Sequence, residues 1–157
     1  MFSVGNKIVH PMHGAGTIQK IEEKRILGEV KQYYVLKLPC NDMNVMIPVN
    51  SENTVGIRAI EDKDVVLKAI EVLKQESTEM DSNWNRRSRE NMEKLKTGDI
   101  FQVAEVVRNL IRVNRVKNLS AGEAKMLANA KQILLSEIIL ACELTEPEAE
   151  KLVEDAV

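Results

Sequence analysis

Hydrophobic and polar positions change their period near Asp62, and that change divides the 157-residue chain. Ahead of it the pattern alternates. In "VKQYYVLKL", residues 30–38, Val30, Tyr34, Leu36 and Leu38 fall on one face and Lys31, Tyr33, Val35 and Lys37 on the other. Residues 43–47 repeat the alternation, with Met43, Val45 and Ile47 expected inward and Asn44 and Met46 outward. Between Thr17 and Ile26 it breaks, because Ile18 and Ile21 cannot share a face of a regular strand, which predicts a bulge or bend. Gly5, Pro11, Gly14, Gly16, Gly28, Pro39, Pro48 and Gly56 cut this region into short pieces. Short strands so spaced suggest a twisted antiparallel sheet that curls into a small barrel.

From Asp62 onward the apolar residues recur at helical spacing. Val65, Val66, Ala69, Ile70 and Leu73 form one stripe, and "ESTEMDS" follows as a polar linker. A second helix is expected from Ser82 or Asn83 to about Lys96. A third, capped by Thr97 or Asp99, carries Ile100, Val103, Val107, Leu110 and Ile111. "SAGE" at 120–123 reads as a capping box opening a helix to about Leu144, apolar nearly all round and so expected at the centre of the bundle. "TEPE" at 145–148 opens a last helix with Thr145 as cap. The expected fold class is α+β: a small antiparallel β-barrel domain over residues 1–60 and an all-α domain of about five helices over 61–157.

Charge adds information only when divided along the chain. The formal net charge is −2. Residues 1–60 contribute +2, 61–83 contribute −4, 84–117 contribute +5 and 118–157 contribute −5. The one basic segment starts at the only tryptophan, and such asymmetry points to a partner rather than to a fold. No apolar run approaches the ~20 residues needed to span a bilayer. The start, "MFSVGNKIVHP", lacks the pattern of a secretory signal. Cys40 and Cys142 stand apart in unlike surroundings, so the reduced cytoplasm is the expected compartment.

Within "SNWNRRSRENMEKLK", residues 82–96, Trp84 aligns on a helical wheel with Ser88, Met92 and Leu95. That stripe describes a core tryptophan, and burial tendencies favour the core. Position and neighbours favour a second reading. Trp84 lies in the first turn, where a ring can project past the core, and Arg86, Arg87, Arg89, Lys94 and Lys96 spread over the rest of the wheel. A flat apolar group among phosphate-seeking cations has the composition of a wedge between base steps. Pattern alone leaves both readings standing. Arg108, Arg112 and Arg115, with Lys117 after them, are spaced to share a helix face that could follow a phosphate backbone or simply be solvated. His10 and His13, in "VHPMHGAG", lack a third metal ligand and suit a structural turn better. No nucleophile elbow, phosphate-binding glycine loop or paired-carboxylate motif is present, so neither an enzyme nor a cofactor is expected.

The segment "VGNKIVHPMHGAG" resembles the opening of the CarD/CdnL transcription regulators, whose first domain is shared with transcription-repair coupling factors. "NWNRRSRENMEKL", "VAEVVRNL" and "LSAGEAKMLANAKQIL" are similar, in order and spacing, to that family's helical DNA-binding domain. The resemblance implies a Tudor-like first domain that binds the β subunit of RNA polymerase, and a bacterial, cytoplasmic, monomeric regulator without enzymatic activity. It implies that Trp84 enters the minor groove of promoter DNA at the upstream edge of the bubble and prolongs the open complex. Arg86, Arg87, Arg89 and Lys94 would contact DNA beside it. Lys24, with Arg25 beside it, matches a basic polymerase-contacting position. Asn44 and Met46 would complete that surface, Met46 standing where some members have arginine, which implies a smaller electrostatic component.

Two other classes are consistent with parts of the pattern. One is an adaptor in which the barrel binds a protein, Trp84 is core and DNA is not touched. The other is a free-standing repressor, against which stands the absence of base-reading side chains at major-groove spacing.

Overall fold

The computed structural model describes residues 2–40, 43–51 and 56–157. Five strands, β1 (Lys7–His10), β2 (Gly14–Ile26), β3 (Glu29–Lys37), β4 (Asn44–Pro48) and β5 (Arg58–Ala59), form one antiparallel sheet in the order β4-β3-β2-β1-β5. Five helices follow: α1 (Lys63–Lys74), α2 (Trp84–Lys96), α3 (Ile100–Val116), α4 (Ala121–Cys142) and α5 (Glu146–Ala156). This is the expected α+β arrangement, a small Tudor-like β domain followed by a helical domain.

The expected bulge is present. Ile18 pairs with Leu36 but Lys20 with Val35, so Gln19 has no partner of its own. The extra residue resets the alternation, and Ile18 and Ile21 both reach the core face. That core is Ile8, Ile18, Tyr34, Leu36, Leu38, Ile47 and Ile57. Met43, expected inward, and Val30, on the face shared with Tyr34 and Leu36, both lie outside the core. Met43 is 64% exposed because β4 starts only at Asn44, and Val30 is exposed because the β2–β3 hairpin runs on beyond the core. Met46 lies on the face opposite Ile47, as alternation requires, but beside buried Val35 it is itself half-buried.

In the helical domain, α4 packs against all four other helices and against β2, and its residues from Ala130 to Ile139 form the middle of the core. Two caps match their expected residues: Asp99 accepts from the Phe101 amide at 2.9 Å, and Thr145 forms a full capping box with Glu148. The "SAGE" box forms only in half. Ser120 accepts from the Glu123 amide at 3.2 Å, but the Glu123 carboxylate is held by Arg87, with only a long 3.5 Å contact from the Ser120 hydroxyl. A charged bidentate partner outcompetes a neutral amide for it.

The β domain lies on α4. The Ala15 amide donates to Ser136 Oγ at 2.8 Å, and a side chain on Gly14 would meet that oxygen at 2.6 Å, so only glycine allows this approach.

Candidate nucleic-acid interface

Helix α2 begins where Asn83 caps it, its side chain accepting from the amides of Asn85 (3.1 Å) and Arg86 (3.3 Å). Trp84 is the first helical residue. Asn91 and Leu95, two and three turns on and nearly in line with it, are buried. The first turn overhangs the core, however, and Trp84 is 61% exposed. The tryptophan of a chain poor in aromatic residues thus stands at a helix end, open to solvent, where amide dipoles add partial positive charge.

The arginines around it play unlike parts. Arg86 is exposed, with a 3.4 Å contact to Asp81 on its own flank. Arg89 is exposed and takes part in no ion pair among the described residues. Lys94, in the last turn, lies 3.6 Å from Glu105 of α3 and is half-buried. Arg87 faces inward: its Nε donates to Glu123 Oε2 at 3.0 Å and its Nη2 to Oε1 at 2.7 Å. Those bonds and the charge of Glu123 hold the Arg87 guanidinium above its ordinary range. At ~100° per residue, Arg86 and Arg89 leave α2 on the side away from Trp84. What brings ring and cations together is the helix end, which presents both flanks.

Beside the ring lies an open hollow of about 330 Å³, lined by Trp84, Val113, Lys117, Asn118, Leu119 and Ser120, with the Arg87–Glu123 pair as its wall. Lys117 is exposed at its rim.

The other arginines expected along a phosphate backbone are placed elsewhere. Arg108 is 1% exposed and donates to the Val72 carbonyl at 3.0 Å. Arg112 donates to the carbonyls of Gln75 (2.6 Å) and Leu73 (3.0 Å). Both serve the end of α1, whose last carbonyls lack helical partners and draw guanidinium donors. Arg115 is tied to the Val157 carbonyl and to Glu154. The shared face is therefore a structural one. Spacing along α3 shows which residues align, but only the position of α1 shows what they meet.

On the sheet, register sorts the candidate polymerase contacts. Lys24 stands opposite Lys31, Met46 opposite Val35 and Asn44 opposite Lys37, which places Lys24, Asn44 and Met46 on one face. Arg25, opposite Val30, points to the other. Lys20, Lys31 and Lys37 join Lys24 on its face, all exposed. Alternation already set Lys31 and Lys37 on one face of β3; counting from the bulge on β2 adds Lys20 and Lys24 to it. The rings of His10 and His13 lie 4.5 Å apart, tilted by 45°, and the Met12 amide donates to His10 Nδ1 at 3.0 Å. Among the described residues no group of three or more His, Cys, Asp or Glu could hold a metal ion, and no helix is long and apolar enough to cross a membrane.

A Tudor-like β domain packed on a helical domain, with an exposed tryptophan at a basic helix end, defines a two-part protein built around surfaces rather than an enclosed pocket. Residues 2–61 match the CarD-like/TRCF RID domain family and residues 68–154 the CarD C-terminal domain family. The chain belongs to the CarD family of transcription regulators. It is similar to the YdeB protein of Bacillus subtilis (strain 168), provisionally named a transcription factor, with 40% identity over 146 residues, covering 93% of this chain and 95% of that protein.

Proposed function

We propose that this regulator binds the RNA polymerase β subunit through its β domain and holds promoter DNA at the upstream edge of the bubble with Trp84. The exposure of Trp84 at the N-terminal end of α2 is the observation that carries this reading. A minor groove about 6 Å wide admits an aromatic ring but not a helix, so a ring projecting from a helix end suits it. Wedged at a partly unstacked step, the indole opposes reannealing and lengthens the life of the open complex. Arg86 and Arg89 take phosphates on one side of the groove, with Lys94 further along α2 and Lys117 at the rim of the hollow. Arg87, spent on Glu123, contributes chiefly by fixing the first turn from which the ring projects.

On the sheet, Lys24, Asn44 and Met46 face the polymerase, with Lys20, Lys31 and Lys37 adding positive charge around them. Such charges act more on association rate than on affinity. Arg25, on the opposite face, stands outside this surface. The protein works as a monomer in the cytoplasm and performs no catalysis. The adaptor reading required Trp84 in the core, and the ring is exposed. The test is the lifetime of open complexes formed by purified polymerase, with this protein, with Trp84→Ala and with neither.

A further inference from the structure

We propose that Arg58 is a positioning residue that sets the angle between the polymerase-facing sheet and the DNA-facing helix α2. The inference rests on the functional reading above and adds to it how the two surfaces are kept in fixed relation.

Arg58 sits on β5, the two-residue edge strand that ends the sheet, opposite Val9 of β1. Its guanidinium joins three parts of the molecule. Nη1 and Nη2 donate to Glu137 of α4, at 2.7 Å to Oε2 and 2.8 Å to Oε1. Nε donates to the Gly98 carbonyl at 2.9 Å, at the corner between α2 and α3. Glu137, 2% exposed, also accepts from the Glu61 amide at 2.8 Å, where the chain leaves the sheet for the helices. Gly98 has φ +71°, the left-handed conformation that ends α2, and the Pro11 ring of the β domain lies against it. The cavity at this junction measures about 10 Å³, no more than one water's worth.

All three nitrogens of this guanidinium therefore donate to named groups, and the fork geometry of arginine fixes an angle as well as a distance. A loose linker between independent modules needs no such arrangement. Trp84 lies at the far end of α2 from Gly98, about 20 Å away at ~1.5 Å per residue. A tilt of about 15° at that corner would displace the ring by about 5 Å, more than the ~3.4 Å between successive bases of a strand. A wedge that must meet one step while the sheet is held on a polymerase cannot tolerate that slip. With the angle fixed, the second contact follows from the first without a further ordering cost.

The test uses the full chain. Glu137→Ala releases Arg58, whose side chain is 25% exposed and stays hydrated. Arg58→Lys keeps a charge toward Glu137 but loses the fork. Ser136→Ala removes the neighbouring bond to Ala15 and gives an independent variant of the same seam should Glu137→Ala not fold. Three quantities are compared with the parent: affinity for the isolated β subunit, affinity for duplex DNA, and open-complex lifetime. Residual dipolar couplings report the angle directly. The expected result is both separate affinities within about twofold of the parent, and the gain in lifetime reduced roughly tenfold, as when a rigid connection becomes a loose tether. Arg58→Lys should fall between. One alignment tensor should describe both domains of the parent, and two should be needed for Glu137→Ala. A Glu137→Ala protein that keeps one tensor, or that needs two and prolongs open complexes as the parent does, overturns the proposal. A parent without effect on lifetime would remove the functional reading, while the dipolar couplings would still decide whether Arg58 sets the angle.

Discussion

Arg87 of α2 and Glu123 of α4 form a bidentate pair, 3.0 Å and 2.7 Å, that ties together the first turns of two helices. Glu123 is 5% exposed, so neither partner is readily replaced by water. Removing Arg87 strands a buried carboxylate, a change that typically costs about 3 kcal/mol or more. Arg87→Ala should therefore lower the unfolding free energy by that amount, seen as a lower urea midpoint with an unaltered m-value. Arg87→Lys should recover only part of it, since an ammonium cannot span both oxygens. A loss under about 0.5 kcal/mol, the level of ordinary surface changes, would show that the pair does not hold α2.

The two outward arginines should behave in the opposite way. Arg86→Glu and Arg89→Glu are expected to leave the unfolding free energy within about 0.5 kcal/mol of the parent. Each should weaken DNA binding nearly equally across sequences and reduce the salt slope by about one. Binding that discriminates between sequences and survives high salt would point to a different use of α2.

Register makes a sharp comparison possible on the sheet. Lys24→Glu with Lys31→Glu reverses two charges on the face that also carries Asn44 and Met46. Arg25→Glu reverses one on the opposite face. Association with the β subunit, followed by stopped flow, should slow several-fold for the first protein and little for the second. Met46→Asp, beside buried Val35, should weaken the complex further. Equal effects of Arg25→Glu and the double variant would mean that the other face docks.

Acid should expose the histidine turn. Burial, with the charge of His13 added, lowers the pKa of His10 to about 4, and the Met12 amide uses the Nδ1 lone pair that a proton would take. The unfolded chain binds that proton near pH 6.5, so His10 contributes stability that is fully present above that pH and lost as pH falls toward 4. His10 is only half-buried, and after solvent screening its share should stay below about 2 kcal/mol. His10→Asn should flatten the dependence of Tm on pH between 6.5 and 4, compared with the parent. A parallel pair of curves would refute the assignment.

Much of this molecule could be read from local pattern. The conflict between Ile18 and Ile21 announced the bulge, and both Asp99 and Thr145 cap the helices they precede. The site was legible in part. Trp84 aligns with buried Asn91 and Leu95, so the wheel angle alone describes a core residue. Its exposure depends on how far α2 extends past its neighbours, a quantity set by packing and not by periodicity. Arg108 and Arg112 were misleading for a related reason. Their partners are the last carbonyls of α1, more than thirty residues earlier, and no spacing within α3 reveals them. Glu123 looked local and is long-range, because a carboxylate three residues after Ser120 prefers a guanidinium on another helix to its own cap.

The exposed indole of Trp84 should act on DNA while the fold is indifferent to it. Open complexes formed by purified polymerase are challenged with competitor, and their decay is followed with the parent protein and with Trp84→Ala. A ring 61% exposed makes few core contacts, so Trp84→Ala should unfold within about 1 kcal/mol of the parent, far from the ~3–5 kcal/mol of a buried tryptophan. The parent should slow decay, and Trp84→Ala, still folded and still bound to the β subunit, should not. Trp84→Ala that prolongs open complexes as well as the parent would contradict this.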